Sequence, residues 1–138
     1  MKVLRISHVG LVPRDPEAAR ACLGGVLGLV GAGSEDVPTE GVRTHFFRGE
    51  DGGHLEVLEP LGEGSPIARF AGRGGGIHHI ALEVDDIAAW TCYLKEQGVQ
   101  LTSEEAKPGA HGAQVVFLHP RSTGGILIEL TQPGGGRT

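Results

Sequence analysis

Two stretches of the chain alternate apolar and other residues as a half-buried strand does, and a helical pattern follows each. LRISHVGLV, residues 4–12, is β-branched and alternating. Asp15-Pro16 then supplies an N-cap and a first-turn proline. Ala18, Ala19, Cys22, Leu23, Val26 and Leu27 recur at helical spacing until the glycine-rich run from Gly28. Further strands are predicted near 29–35, 41–48 and 54–59, the last two joined by the turn GEDGG at 49–53. GIHHIALEV, residues 76–84, opens the second half as another strand. Asp86 caps a helix whose inner face is Ile87, Trp90, Thr91 and Leu94, and Gly98 ends it. Strands are predicted near 99–103, 113–118 and 125–131, so both halves read β-α-β-β-β.

The two halves share a register. Aligning His8 with His79 also carries Asp15 onto Asp86 and ISHVGLV onto IHHIALE. The last strand of each half holds a glutamate, Glu56 in HLEVLEP and Glu129 in ILIELTQ. Neighbouring strand residues point to opposite faces, so only one of His78 and His79 can face a common interior, and the repeat selects His79. Between the halves, SPIARF at 65–70 reads as a short linker helix with Ser65 as N-cap and Pro66 at its first position. The expected organisation is one α+β domain over 1–138, with modules at about 1–62 and 76–132, a linker at about 63–75 and a frayed tail from 133.

Composition narrows the class. At 138 residues, with 39% hydrophobic and 21% charged positions, the chain suits one globular domain. Only 4% is aromatic and 24 residues are glycine, so the core must rest on Val, Leu, Ile and Ala between tight turns. A net charge of −5 offers no electrostatic reason to expect nucleic acid as a partner. Lys2, Arg5, Arg14 and Arg20 interrupt the first twenty residues, which argues against a signal peptide, and nothing later resembles a membrane span. A cytoplasmic location is expected. Cys22 and Cys92 form no CxxC or zinc spacing and are expected to be small buried hydrophobes.

His8, Glu56, His79 and Glu129 would form a two-imidazole, two-carboxylate set if the modules enclose one cavity. Such donors suit Zn, Fe, Co, Ni or Mn without selecting one. Taken singly, a strand histidine is more often a packed residue than a ligand. Glu129 has two readings: a buried carboxylate that needs a cation or a raised pKa, or a solvent-facing residue with Ile126, Ile128 and Leu130 as the buried set.

ISHVGLV, LEVLEPLGEGSPIARF, GGIHHIALEVDDI and GAHGAQVVFLHPRSTGGILIEL together resemble the methylmalonyl-CoA epimerases of the vicinal-oxygen-chelate (glyoxalase-like) superfamily, over nearly the whole chain. The resemblance implies paired βαβββ modules forming a curved mixed sheet around a metal-binding cleft. It implies metal ligands at His8, His79 and Glu129, with Glu56 at a fourth position where relatives carry Gln or Glu. The implied ion is divalent, Co2+ foremost, with Zn2+, Mn2+, Ni2+ and Mg2+ as alternatives. It further implies epimerisation of (R)- and (S)-methylmalonyl-CoA at C2, through an enolate stabilised by the ion, and a homodimer. Glu129 is the first candidate base. Some relatives place a non-ligand glutamate on the strand before that of Glu56, whereas GVRTHFF has no carboxylate. Thr44 lies nearest that position, an adjacent His45 is expected at the surface, and Glu56 is preferred as the opposing base. Lys107 and Arg121 are candidates to meet coenzyme A phosphates, and Gly109 and Gly112 to bring backbone N–H groups to an anion. His111 and His119 are expected only to pack in loops. The same fold also admits a glyoxalase I-like isomerase, an extradiol-type dioxygenase or a non-catalytic binder of small ligands.

Overall fold

The structure, a computed structural model, describes residues 1–134. The part of the expected tail at 135–138 lies outside the described residues. The alternation in LRISHVGLV becomes β1 (Val3–Pro13), in which His8, Gly10 and Val12 are buried and their neighbours half-buried. Asp15 accepts a hydrogen bond from the Ala18 N–H at 3.1 Å and starts α1 (Pro16–Arg20). The coil then widens into a π-helical segment, Ala21–Val26. A wider coil abandons the 3.6-residue period, and Gly24-Gly25 weaken helical preference there. The predicted apolar face therefore breaks up: Ala19 and Leu23 are half-buried, while Cys22, Val26 and Leu27 are exposed. Both cysteines are free and exposed, which corrects the expectation that they are buried.

β2 (Val30–Val37), β3 (Val42–Arg48) and β4 (His54–Pro60) run antiparallel in succession, and β4 returns parallel to β1. The GEDGG turn closes as expected, with the Gly49 N–H on the Gly53 carbonyl at 2.9 Å and the Gly53 N–H on Asp51 Oδ1 at 2.8 Å. The linker helix differs from its prediction. Ser65 and Pro66 lie in a turn, Ile67 is the buried N-cap, and α2 runs Ala68–Gly72. Ser65 Oγ accepts from the Ile67 N–H at 3.4 Å, spending the cap on the turn.

β5 (Gly75–Val84) begins at a glycine with φ 71°, where a Cβ would lie 2.1 Å from the Val12 carbonyl oxygen. No other residue fits so close an approach. Asp86 accepts from the Ala89 N–H at 3.1 Å and opens α3 (Ile87–Glu96). Residues 99–103 do not form the predicted strand; Leu101 makes a single bridge to Leu118. The polar run after Leu101 buries little, and β6 is only Lys107–Pro108, where proline ends the donor pattern. β7 (Gln114–Leu118) and β8 (Ile128–Gln132) follow, the latter delayed by a turn at Gly124-Gly125.

The eight strands of the described residues are hydrogen-bonded in the order β2-β3-β4-β1-β5-β8-β7-β6, a mixed sheet. The chain divides into two compact units, one of His8–His78 and one of Met1–Ser7 with the chain from His79 onward. In the second unit α3 lays Ile87 and Leu94 on Val84, Val116 and Leu130. Because α3 covers the Leu130 face, the opposite face of β5, β7 and β8 is the one that carries His79 and Glu129.

Candidate active site

In the His8–His78 unit, register places the polar residues. Gly10 on β1 is the partner of Glu56 on β4, and Phe46 and Thr44 on β3 are the partners of Glu56 and Leu58. Paired residues project to one side, so His8, Glu56, Phe46 and Thr44 share a face. His8 Nδ1 lies 3.2 Å from Glu56 Oε2, with His8 buried and Glu56 nearly so. Glycine at position 10 puts no side chain beside Glu56.

The second unit repeats this arrangement. β5 runs parallel to β8, and Ala81, two residues after His79, is the partner of Glu129. His79 Nε2 lies 3.3 Å from Glu129 Oε1, and both side chains are buried. Phe117, opposite Glu129 on β7, meets the His79 ring edge-on at a centroid distance of 5.6 Å. His78 faces the other way, half-buried against the Phe70 ring at 5.1 Å.

Glu129 is 5% exposed and its neighbour Leu130 is 3% exposed, so β8 is covered on both faces and the solvent-facing reading of Glu129 is overturned. Burial pushes its carboxyl up to about 8, because an ionised group loses hydration there. Such a carboxyl is neutral at pH 7 unless a cation stands beside it. The donor chemistry within each unit fits one: an imidazole stands beside a carboxylate, His79 with Glu129 and His8 with Glu56, a combination suited to borderline divalent ions.

Thr44, 2% exposed, occupies the Glu56 face. His45 does not. It points to the opposite face, where its Nε2 lies 2.8 Å from Glu59 Oε1, and it is half-buried rather than at the surface as expected. Lys107 is half-buried and Arg121 exposed. His119 packs as expected, its Nδ1 accepting from the Arg121 N–H at 3.0 Å. His111 sits at the tip of a tight turn, Ala110–Gly112, with φ 56°.

Sequence reasoning missed Glu83. It is 5% exposed, on the His79 face, with Arg5 Nε 3.6 Å from its Oε1 and buried Thr131 as its strand partner. The signal was present, since Glu83 follows His79 and Ala81 in strict alternation. His54 was also missed; its pairing with His8 puts it on the Glu56 face.

Comparison with known proteins agrees with this architecture. Residues 7–117 match the Glyoxalase/Bleomycin resistance protein/Dioxygenase superfamily model. An ethylmalonyl-CoA/methylmalonyl-CoA epimerase of Cereibacter sphaeroides is 47% identical, over 93% of this chain and 97% of that protein. The mitochondrial methylmalonyl-CoA epimerase of Bos taurus is 43% identical, over 93% of this chain and 74% of its own length. Among solved structures, a Streptomyces coelicolor methylmalonyl-CoA epimerase variant in complex with 2-nitronate-propionyl-CoA superposes with a TM-score of 0.87 at 30% identity, covering 96% of this chain and 99% of the other. Duplicated histidine–glutamate pairs and likeness along almost the full chain lead to one assignment: the chain belongs to the methylmalonyl-CoA epimerase family of the glyoxalase/bleomycin resistance protein/dioxygenase superfamily.

Proposed function

We propose that this chain interconverts the two C2 epimers of methylmalonyl-CoA, with His8, Glu56, His79 and Glu129 as ligands of one divalent ion. The observation that carries the reading is the duplicated pair: each unit sets a glutamate on its last strand beside a histidine on its first, at 3.2 Å and 3.3 Å. When bound, the ion supplies Lewis-acid polarisation of the thioester carbonyl. Co2+ is the ion we favour.

C2 of the substrate carries a hydrogen, a methyl, a carboxylate and the thioester carbonyl. A base removes the C2 proton, the bond's electron pair passes into the carbonyl, and C2 becomes planar. A proton delivered from the other side re-forms the C–H bond with inverted configuration. Two carboxyl groups meet this need, one accepting while the other donates. Glu129 takes one face and Glu56 the other, since Thr44 lacks a useful pKa and His45 points away. The turn at Gly109–Gly112 and the cations Lys107 and Arg121 receive the anionic parts of the substrate. The exposed apolar residues Leu4 and Ile6, on one face of β1, support a homodimer, because a second copy would cover them. Likeness to the Cereibacter sphaeroides epimerase supports a cytoplasmic location. No helix of the described residues is long and apolar enough to cross a membrane.

Metal analysis tests the ligand assignment. Purified protein is expected to carry a divalent ion and epimerase activity, and His79→Ala to lose both. The loss in metal affinity should exceed the roughly 10–100-fold typical of outer-shell changes. Unchanged metal content in His79→Ala would remove His79 from the ligand set.

A further inference from the structure

The chain does not end its structural role at β8. Gln132 pairs with Gln114, and its side-chain oxygen accepts from the Ile87 N–H at 2.9 Å, tying the end of the strand to the start of α3. From that anchor Pro133 and Gly134 run onto the Ala110–Gly112 turn. A Cβ at Gly134 would lie 2.4 Å from the Gly112 carbonyl oxygen and 2.8 Å from its carbonyl carbon. Both obstacles are backbone atoms, so no rotamer change could make room.

The turn beneath is held in an uncommon shape. His111 is the one non-glycine residue with positive φ among the described residues, at 56°, and Gly112 follows at 71°. Left-handed backbone is unfavourable for a residue with a Cβ, and it persists where the surroundings over-determine it. Two bonds close the turn, from the Gly109 N–H to the Ala113 carbonyl at 2.9 Å and from the Ala113 N–H to the Ala110 carbonyl at 3.1 Å. Gly109 is packed against β7, where a Cβ would come within 2.8 Å of Val115 Cγ1.

We infer that Gly134 is a positioning residue: its backbone lies on Gly112 and clamps the His111–Gly112 turn in the left-handed shape that receives substrate. The inference rests on the proposed role of that turn, and it extends the functional part of the chain past the last strand. Gly134 lies on no strand or helix. Its effect is on binding, through the turn.

The test replaces Gly134 with Ala and with Val in the full chain, and follows three readouts. Amide hydrogen exchange at residues 110–113 should quicken about tenfold or more in Gly134→Val and less in Gly134→Ala. KM for methylmalonyl-CoA should rise by about tenfold in Gly134→Val while kcat changes less than about threefold. Bound metal should be unchanged. Native exchange at 110–113 in Gly134→Val would overturn the clamp, whether or not the protein is an epimerase. Faster exchange with an unchanged KM would overturn the link between turn and substrate. A wild-type protein without epimerase activity would refute the catalytic reading while leaving the exchange measurement to decide the clamp.

Discussion

His78 and His79 stand side by side in β5 and do different things, as strand alternation requires. His79 is buried beside Glu129 and Phe117, and His78 packs on Phe70. His78→Ala is therefore expected to keep the bound ion, losing only about 0.5–1.5 kcal/mol of stability with the ring pair. Loss of metal from His78→Ala, seen by elemental analysis, would reverse the assignment of the two. Glu129 makes a second prediction. Its folded pKa, about 8, lies above its ordinary value of 4.5, so the folded metal-free protein holds a proton that the unfolded chain releases. The stability linked to that proton is fully present below about pH 4.5 and is lost as pH rises through about 8. Melting curves of chelator-treated protein should show Tm falling across this window. Glu129→Gln should flatten the fall, and an equally steep decline in that variant would show that another group is responsible.

The two capped helices differ in what their caps support. Asp15 and Asp86 make the same 3.1 Å bond to a first-turn N–H. Yet α3 buries Ile87, Thr91 and Leu94, whereas α1 buries no side chain. Asp86→Ala should cost about 1 kcal/mol of global stability, and Asp15→Ala clearly less, because fraying of α1 releases little core. Chemical denaturation of the pair checks this, and equal losses would contradict it. The same contrast explains what could be read from the sequence. The caps, the long strands β1 and β5 and the GEDGG turn each have a strong local signal. The π-helical widening of Ala21–Val26 and the two-residue β6 do not, being settled by packing and by Pro108. Ser65-Pro66 showed the opposite failure, a convincing cap signal diverted into a turn.

At the scale of the molecule, the duplication carried the site reading further than any single residue could. His8, Glu56, His79 and Glu129 were legible because a repeat aligns them, and each pair stands at close range inside its own unit. Glu83 and His54 drew no notice although alternation marked their face, since the repeat sets Glu83 against Val12 and His54 against Leu127 and so gives neither a counterpart. Register resolved them: Glu83 faces with Glu129, and His54 with Glu56. His45 fell away by the same logic, which leaves the two glutamates as the groups proposed for proton transfer. Epimerisation requires reversible proton removal at C2, and isotope exchange measures that removal. Metal-loaded protein incubated with one epimer of methylmalonyl-CoA in D2O should introduce deuterium at C2 and yield both epimers. Recovery of unlabelled, unepimerised substrate from metal-loaded protein would contradict it.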